Sequence, residues 1–195
     1  SLGEYGTTNW DSSWDSTGPV VIAKSNYIKS LLAKYGVTGK LLLNTENAIH
    51  CNPCTKDDTF QLTKAYYVAQ TFAAAIREGL TTNLWFSLYG WHSSELLDPD
   101  NNELDAYRAY SFASSMLYGA KFEGDIPGDP GVRAYKFRNT PRLIWLLWSL
   151  DGENHNITLP STPTAGYHVD GSPLGTDMLS GVSLKVTLEP VYIEW

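Results

Sequence analysis

The 195-residue sequence predicts an α/β module followed by an all-β module. In residues 1–119, apolar residues with helical spacing alternate with short runs of consecutive apolar residues, which is the pattern of parallel α/β units. From residue 120 onwards, short segments alternate between apolar and polar residues, and turns rich in Gly, Pro and Asp separate them. We therefore predict two domains, residues 1–119 and residues 120–195.

The α/β module is expected to contain three helices and two strands. Pro19 precedes the first helical pattern, and a glycine follows each of the three patterns. Each strand is a run of consecutive apolar residues, as found in strands that are buried on both faces. Because a helix connects them, we expect the two strands to be parallel and adjacent. The expected helices cover residues 20–35, 60–78 and 104–118, and the expected strands cover residues 40–44 and 83–88.

The all-β module is predicted from short alternating segments with regular turn signals between them. About five short antiparallel strands with this spacing favour a β-sandwich. The expected strands cover residues 132–138, 143–150, 156–159, 167–170 and 182–188.

Composition excludes several classes of function. The net charge is −7 and no cluster of Lys and Arg is present, which disfavours nucleic acids and anionic membranes as partners. No run of about 18 apolar residues is present, so no membrane span is predicted. No signal peptide pattern is present and the chain begins with Ser1 rather than Met, which indicates a mature, trimmed or excised N-terminus. Seven Trp and 12 Tyr either stack on sugar rings or fill a β-rich core, and composition leaves both interpretations open.

The two cysteines, Cys51 and Cys54, are separated by two residues. This spacing occurs in redox pairs, in half of a zinc site and in small structural disulfides. No second pair completes a four-cysteine zinc site, and no βαβ pattern precedes the motif as it does in thioredoxins. We expect a disulfide in an extracellular, secreted protein and no metal site.

Glu46 directly follows the first predicted strand, in the run Leu43-Asn44-Thr45-Glu46. The carboxyl ends of parallel strands in β/α barrels carry catalytic groups, because the rigid strand aims the side chain into the mouth of the barrel. A carboxylate there can attack an anomeric carbon and form a glycosyl-enzyme intermediate. The alternative is an ordinary solvent-exposed loop glutamate.

Three segments together carry a resemblance to a known group of enzymes. The run ending at Glu46 and the aromatic run at residues 84–91 resemble the last two barrel strands of clan A glycoside hydrolases, (β/α)8 enzymes of the family 39 or family 51 kind. Residues 190–194 resemble the closing strand of the β-sandwich that is appended to several such families. The resemblance implies that residues 1–119 are the C-terminal portion of a (β/α)8 barrel, containing strands seven and eight.

The same resemblance implies a retaining glycosidase with Glu46 as nucleophile and a sugar-binding site around it. Trp85 is expected to form the floor of this site, with its side chain directed toward the barrel axis. Leu84, Phe86 and Leu88 are then expected to face the surrounding helices, because side chains alternate along a strand. The expected substrate-binding residues are Asn44, Trp85, Tyr89, Trp91, His92 and Trp10.

The sequence also departs from the pattern of these enzymes. Their acid/base glutamate lies on strand four, and strands one to six have no counterpart in this chain. We therefore expect the isolated chain to be inactive. It is a fragment of a longer enzyme, or it pairs with the missing barrel half on a separate polypeptide, or its lineage has lost catalysis. The expected ligand is an extracellular oligosaccharide or polysaccharide, and no cofactor is implied. The alternative function is a non-catalytic carbohydrate-binding or structural extracellular module, and a binder of this kind requires aromatic residues on an exposed face of the sandwich.

Overall fold

The computed structural model describes residues 20–49, 58–90 and 92–195. Its first part is α/β, and its second part consists of two antiparallel sheets. The three predicted helices and the two predicted strands of the first part are present, with their ends shifted by a few residues. The helices are α1 (Val20–Lys34), α2 (Asp58–Arg77) and α3 (Asp105–Leu117), and the strands are β1 (Leu43–Asn47) and β2 (Thr82–Trp85).

Strands β1 and β2 are adjacent and parallel, which confirms the predicted pairing. Leu43 pairs with Thr82, and Asn47 pairs with Trp85. An irregularity between Asn44 and Asn47 places one extra residue in β1. Helix α2 connects the two strands, as expected for a parallel pair.

The prediction that both strands are buried on both faces is wrong for one face of the sheet within the described residues. Asn47 is buried against α2, whereas Leu41 is 73% exposed and Leu43 is 56% exposed. Leu84 and Phe86 of the neighbouring segment are also exposed. The open face of the β1–β2 sheet, defined by these four apolar side chains and Leu88, is therefore uncovered by any described residue.

Helix α1 contacts the remainder of the α/β part through a small apolar cluster. Val21 and Ile22 pack with Ala74 of α2, and Leu80 packs against them. Tyr27 and Tyr35 remain exposed at other positions of the same helix and its C-terminal turn. Helix α1 thus buries only a narrow stripe of its surface within the described structure.

The strands of the second part are β3 (Lys121–Asp125), β4 (Val132–Asn139), β5 (Arg142–Ser149), β6 (His155–Thr158), β7 (Ala165–Tyr167), β8 (Leu179–Ser180), β9 (Ser183–Val186) and β10 (Val191–Glu194). They form a five-stranded sheet in the order β3-β4-β5-β10-β7 and a three-stranded sheet in the order β6-β9-β8. All strand pairs in both sheets are antiparallel. Four of the five predicted strands coincide with β4, β5, β6 and β9 to within two residues at each end, whereas the strand predicted at residues 167–170 shares only Tyr167 with β7. Strands β3 and β8 were not predicted, because β3 is mostly polar and β8 has two residues.

The five-stranded sheet is covered on both faces, as the contacts of two neighbouring side chains of β5 show. Trp148 packs in the cluster that includes buried alanines of α2 and α3, so this face lies against the helices. Leu147, its neighbour in the strand, packs with Leu184 and Val186 of the smaller sheet. Successive side chains of β5 therefore point to opposite faces of the sheet and pack in two different hydrophobic cores. Because the first core contains residues from both parts of the chain, the domain boundary between residues 119 and 120 stays a prediction.

An ionic network also joins the two parts. Arg77, the last residue of α2, donates two hydrogen bonds to Asp125 of β3, at 3.1 Å from Nε and 2.9 Å from Nη2. The Arg77 guanidinium lies over the ring of Tyr135, 5.6 Å from its centroid. The buried carboxylate of Glu78 pairs with Arg77 and with Lys29 of α1. Helices α1 and α2 are thereby linked to the larger sheet.

His155 connects two loops of the sandwich through both of its ring nitrogens. Its Nδ1 lies 2.9 Å from Asp129 Oδ2, and its Nε2 lies 2.9 Å from Asp151 Oδ1. A Cβ atom at Gly131 would lie 2.3 Å from His155 Cε1, so the ring fits because residue 131 is glycine. Both nitrogens face carboxylates, and both donate a hydrogen bond when the imidazole is protonated.

This arrangement predicts that the protein loses stability as pH rises above 6.5, the ordinary pKa of a histidine side chain. The hydrogen bond to Asp151 raises the pKa of His155 above its ordinary value of 6.5, against an opposing effect of partial burial, and the bond to Asp129 raises it further. A histidine with a raised pKa in the folded state contributes its full stabilisation below pH 6.5, and this is lost as pH rises through the folded-state pKa. Urea unfolding at several pH values from 6 to 9 measures the effect. The His155→Gln variant is expected to show a smaller decline over this range, and an identical decline in both proteins would contradict the assignment.

Candidate functional site

The candidate site lies at the carboxyl ends of β1 and β2. Glu46 is the fourth of the five residues of β1, and its side chain is exposed. Its carboxylate makes no hydrogen bond or ion pair with residues 20–49, 58–90 or 92–195. A carboxylate in this position is free to contact a ligand that approaches the strand ends.

Asn47, the residue after Glu46, is held on the opposite side of the sheet by helix α2. Tyr67 donates its hydroxyl hydrogen to Asn47 Oδ1 at 2.8 Å, and Asn47 Nδ2 donates to Thr71 Oγ1 at 3.1 Å. All three side chains are buried. Sequence reasoning missed these residues, although two hydrogen-bonding residues four positions apart on a largely apolar helix were a usable signal.

Asn44, an expected substrate-binding residue, is engaged with the neighbouring strand. Its Nδ2 donates a hydrogen bond to Asn83 Oδ1 at 2.7 Å. The two residues are partners in the parallel register of β1 and β2. The side chain of Asn44 therefore links the strands to each other, and its contact with a sugar stays a prediction.

Trp85 is directed toward the helix side of the sheet, so its predicted orientation is wrong. Its indole Nε1 donates to the carbonyl oxygen of Ser94 at 2.8 Å, and its ring packs edge-on against Tyr67 with centroids 6.2 Å apart. Leu84 and Phe86 are correspondingly exposed on the open face, although they were expected to face the helices. The indole packs against α2, and its N–H is hydrogen-bonded there to the Ser94 carbonyl. Because side chains alternate along a strand, Leu84 and Phe86 then lie on the other face.

The loop that follows β2 has an unusual backbone. His92 and Ser93 have positive φ angles of 47° and 68°, which side chains other than glycine seldom adopt. Lys64 of α2, which is 0% exposed, donates from Nζ to the carbonyl oxygens of Ser93 at 3.0 Å and Glu95 at 2.5 Å. Three consecutive carbonyls, at residues 93–95, are thus bound by Lys64 or Trp85. Such bonds hold a loop in a conformation that it would not adopt alone.

Tyr89 and His92, two of the expected substrate-binding residues, lie together in an open cleft formed by this loop. The Tyr89 hydroxyl donates to Asn101 Oδ1 at 3.0 Å. Hydrogen bonds from Asn102 and Asp100 hold the pKa of the Asp98 carboxyl below its usual value. The cleft therefore presents an aromatic ring, an imidazole and a carboxylate. Its lining consists of Tyr89, Gly90, His92, Ser93, Glu95, Leu97, Asp98 and Pro99.

Four of the predicted functional residues fall outside the described part of the chain. They are Trp10, Trp91, Cys51 and Cys54, so the proposed disulfide and the two tryptophan contacts stay predictions. Within residues 20–49, 58–90 and 92–195, no three His, Cys, Asp or Glu side chains are grouped so that they can hold a metal ion. Across the same residues, no helix combines the length and the apolar character that crossing a bilayer requires.

Comparison with known proteins identifies solved structures that share this fold. No protein-family model and no curated protein matches the sequence. Among solved structures, a family 39 glycoside hydrolase from Bacteroides cellulosilyticus WH2 is similar with a TM-score of 0.68 at 16% identity, over 87% of this chain and 37% of that chain. A conserved exported protein from Bacteroides fragilis is similar with a TM-score of 0.62 at 12% identity, over 95% of this chain and 44% of that chain.

A family 30 subfamily 8 xylanase, Xyn30A from Clostridium acetobutylicum, is also similar, with a TM-score of 0.54 at 10% identity, over 80% of this chain and 42% of that chain. The chain thus spans less than half the length of these structures. It shares its fold with parts of glycoside hydrolases of families 39 and 30. Family 39 is one of the two families that the sequence resembles.

Proposed function

We propose that this chain is the C-terminal part of a retaining glycoside hydrolase that acts on extracellular glycans, with Glu46 as its nucleophile. The observation that carries the proposal is the position of Glu46, an exposed carboxylate near the carboxyl end of a parallel strand in a fold shared with glycoside hydrolases. In this proposal β1 and β2 are strands seven and eight of a (β/α)8 barrel. Catalytic groups of such barrels lie at the carboxyl ends of the strands.

The open face of the β1–β2 sheet supports the presence of a further barrel segment. A parallel pair of strands is not stable alone, because parallel sheets are covered on both faces. Leu41, Leu43 and Phe86 are exposed here, and their burial would favour association with more strands. The proposed occupant of this face is the remaining barrel, strands one to six with their helices, on the same or a separate polypeptide. The coverage of 37–44% of the similar structures agrees with this.

The proposed mechanism is a double displacement. A carboxylate oxygen of Glu46 attacks the anomeric carbon while the glycosidic C–O bond breaks, and an acid/base carboxyl on the missing segment protonates the departing oxygen. In the second step, that group removes a proton from water, which attacks the anomeric carbon and releases Glu46. Retaining enzymes hold the two carboxyls about 5–5.5 Å apart. Without the second carboxyl the isolated chain is expected to be inactive.

The distribution of exposed aromatic residues favours the enzyme over the alternative binding module. A sandwich that binds sugars by stacking needs aromatic rings on an exposed sheet face. From residue 121 onwards no aromatic side chain is exposed, and Trp145 and Trp195 are partly buried against each other with centroids 4.9 Å apart. Tyr89, by contrast, is exposed beyond the carboxyl end of β2, the strand that pairs with the one carrying Glu46.

Covalent trapping tests the proposed function. A panel of activated 2-deoxy-2-fluoro glycosides is incubated with the full-length protein, because the fluorine slows hydrolysis of the glycosyl-enzyme more than its formation. We expect a stoichiometric mass increase for at least one sugar, with the label on the peptide containing Glu46. Labelling of another carboxylate in the presence of turnover would remove Glu46 from the role of nucleophile.

A further inference from the structure

We propose that the buried polar stripe of α2, formed by Lys64, Tyr67 and Thr71, positions the catalytic strand end and the cleft loop. This inference rests on the proposed function, and it assigns positioning roles to residues that do not themselves contact substrate. The three residues are three and four positions apart, so they lie on one face of the helix. Each is buried, with Lys64 and Thr71 at 0% exposure.

The first half of the stripe acts on β1. Tyr67 and Thr71 together satisfy both functional atoms of the Asn47 side chain amide, one as donor and one as acceptor. The irregularity of β1 lies between Asn44 and Asn47, and Glu46 falls within it. A strand with an extra residue is not held in register by alternation alone, so an anchor on Asn47 determines where the backbone of Glu46 lies.

The second half of the stripe acts on the loop after β2. A buried lysine is costly unless its ammonium group is bonded, and Lys64 directs Nζ at two carbonyls of one short loop. The loop holds His92 and Ser93 in the left-handed region, where strain is tolerated when surrounding bonds compensate for it. Trp85 adds a third bond, to Ser94. Lys64 therefore determines the position of His92 and of the cleft that Tyr89 lines.

Helix α2 thus binds both parts of the candidate site, the end of β1 and the loop after β2, from the helix side of the sheet. Glu46 is exposed and Tyr89 and His92 line an open cleft, while the anchoring side chains are buried on the helix side. Catalytic groups need placement within a fraction of an ångström, and buried hydrogen bonds to neighbouring residues provide it. Loss of an anchor should consequently affect the rate of the chemical step more than the integrity of the fold.

Isosteric substitutions in the full-length protein test the anchor on Asn47. Thr71→Val keeps the shape of the side chain and removes the acceptor, and Tyr67→Phe removes the donor. We expect each to lower kcat by about tenfold or more, with KM within about twofold of the wild-type value. Thr71→Ser restores the hydroxyl and is expected to keep kcat within about threefold of wild type. Trapping with the fluorinated glycoside counts active sites, so that loss of folded protein is not mistaken for a lower kcat.

Thr63→Val is the matched control. Thr63 is a buried threonine of the same helix, but its hydroxyl donates to the carbonyl of Thr59 within α2 at 2.8 Å. Its replacement is expected to leave kcat unchanged. Wild-type kcat in both Thr71→Val and Tyr67→Phe would overturn the inference, as would a Thr71→Ser variant that is as slow as Thr71→Val.

The proposed role of Lys64 is tested by two other measurements, ligand binding and hydrogen exchange. Lys64→Met keeps an unbranched side chain of similar length but frees the carbonyls of Ser93 and Glu95. We expect about tenfold weaker binding of an oligosaccharide of the sugar that labels the protein in the trapping experiment, and faster hydrogen exchange at residues 92–95. If Lys64→Met does not fold, Trp85→Phe removes the hydrogen bond from the indole to the Ser94 carbonyl, and the same two measurements are made on a variant that loses less stability.

Failure of this inference and failure of the proposed function give different results. If the Glu46→Gln protein still turns over substrate normally, the proposed function fails. If Glu46→Gln is inactive but the stripe variants behave as wild type in kcat, binding and exchange, the stripe is structural and the inference alone is overturned.

Discussion

Glu46→Gln in the full-length protein is expected to lower kcat by roughly 10³-fold or more while glycan affinity stays close to that of the wild type. Glutamine has the same shape but cannot attack the anomeric carbon, so the interaction that is lost belongs to the transition state. Steady-state kinetics and calorimetric binding of the same oligosaccharide measure the two quantities. Because the Glu46 carboxylate makes no hydrogen bond with the described residues, its replacement is not expected to disturb the fold.

A second variant distinguishes a nucleophile from an acid/base. Glu46→Ala leaves room for a small anion, and azide is expected to restore turnover and to give the glycosyl azide of inverted configuration. Azide rescue of a missing acid/base would give the retained configuration instead. Glu153→Gln, which changes an exposed glutamate of the sandwich, is the control and is expected to leave kcat unchanged. Normal turnover by the Glu46→Gln protein would remove Glu46 from the role of nucleophile, whereas glycan binding without turnover by the wild-type full-length protein would favour the binding-module alternative.

Trp148→Ala is expected to destabilise the protein by about 3–5 kcal/mol, because it removes a large aromatic side chain from a closed core. Trp148 is 1% exposed and packs edge-on against Tyr135 with centroids 5.3 Å apart. Its cluster contains alanines of α2 and α3 as well as strand residues, so the loss falls on both parts of the chain. Total stabilities of 5–15 kcal/mol are usual, so this is a large fraction.

Urea unfolding followed by far-ultraviolet and near-ultraviolet circular dichroism measures this effect. We expect the helical and aromatic signals to shift together, because α2, α3 and the larger sheet share the core. Tyr118→Ala, at a residue that is 87% exposed, is the control and is expected to change stability by less than about 0.5 kcal/mol. A shift of the aromatic signal alone, with the helical signal unchanged, would show that the helices do not depend on this core.

Much of the fold could be predicted because the relevant signals are local. The three helices show apolar residues with helical spacing, and a glycine follows the C-terminus of each. These glycines, at residues 36, 79 and 119, have positive φ angles that only glycine adopts readily. The parallel pairing of β1 and β2 followed from the helix between them. The strands of the sandwich followed from alternation and turns, whereas β8, with two residues, is too short to show a period.

The position of Glu46 at the strand end was predicted from its place after an apolar run. The orientation of Trp85 was not predicted correctly. Alternation along a strand predicts that Trp85 and Phe86 face opposite sides of the sheet, but it does not indicate which of these sides lies against the helices. The extra residue in β1 also changes which side chains after Asn44 face α2, and no sequence signal marks it. Contacts with Tyr67 and Ser94, residues distant in sequence, decided the orientation.

Periodicity and spacing along the chain therefore determined the order of the elements, their type and the strand that carries the candidate nucleophile. Tertiary structure decided which residues hold that strand end and the loop beside it. Lys64, Tyr67 and Thr71 look like ordinary residues of a helix in the sequence, and their roles appear when α2 lies under Asn47 and residues 93–95. The physical reason is that a hydrogen bond between buried side chains depends on distances across the fold, whereas helix and strand patterns depend on neighbours along the chain.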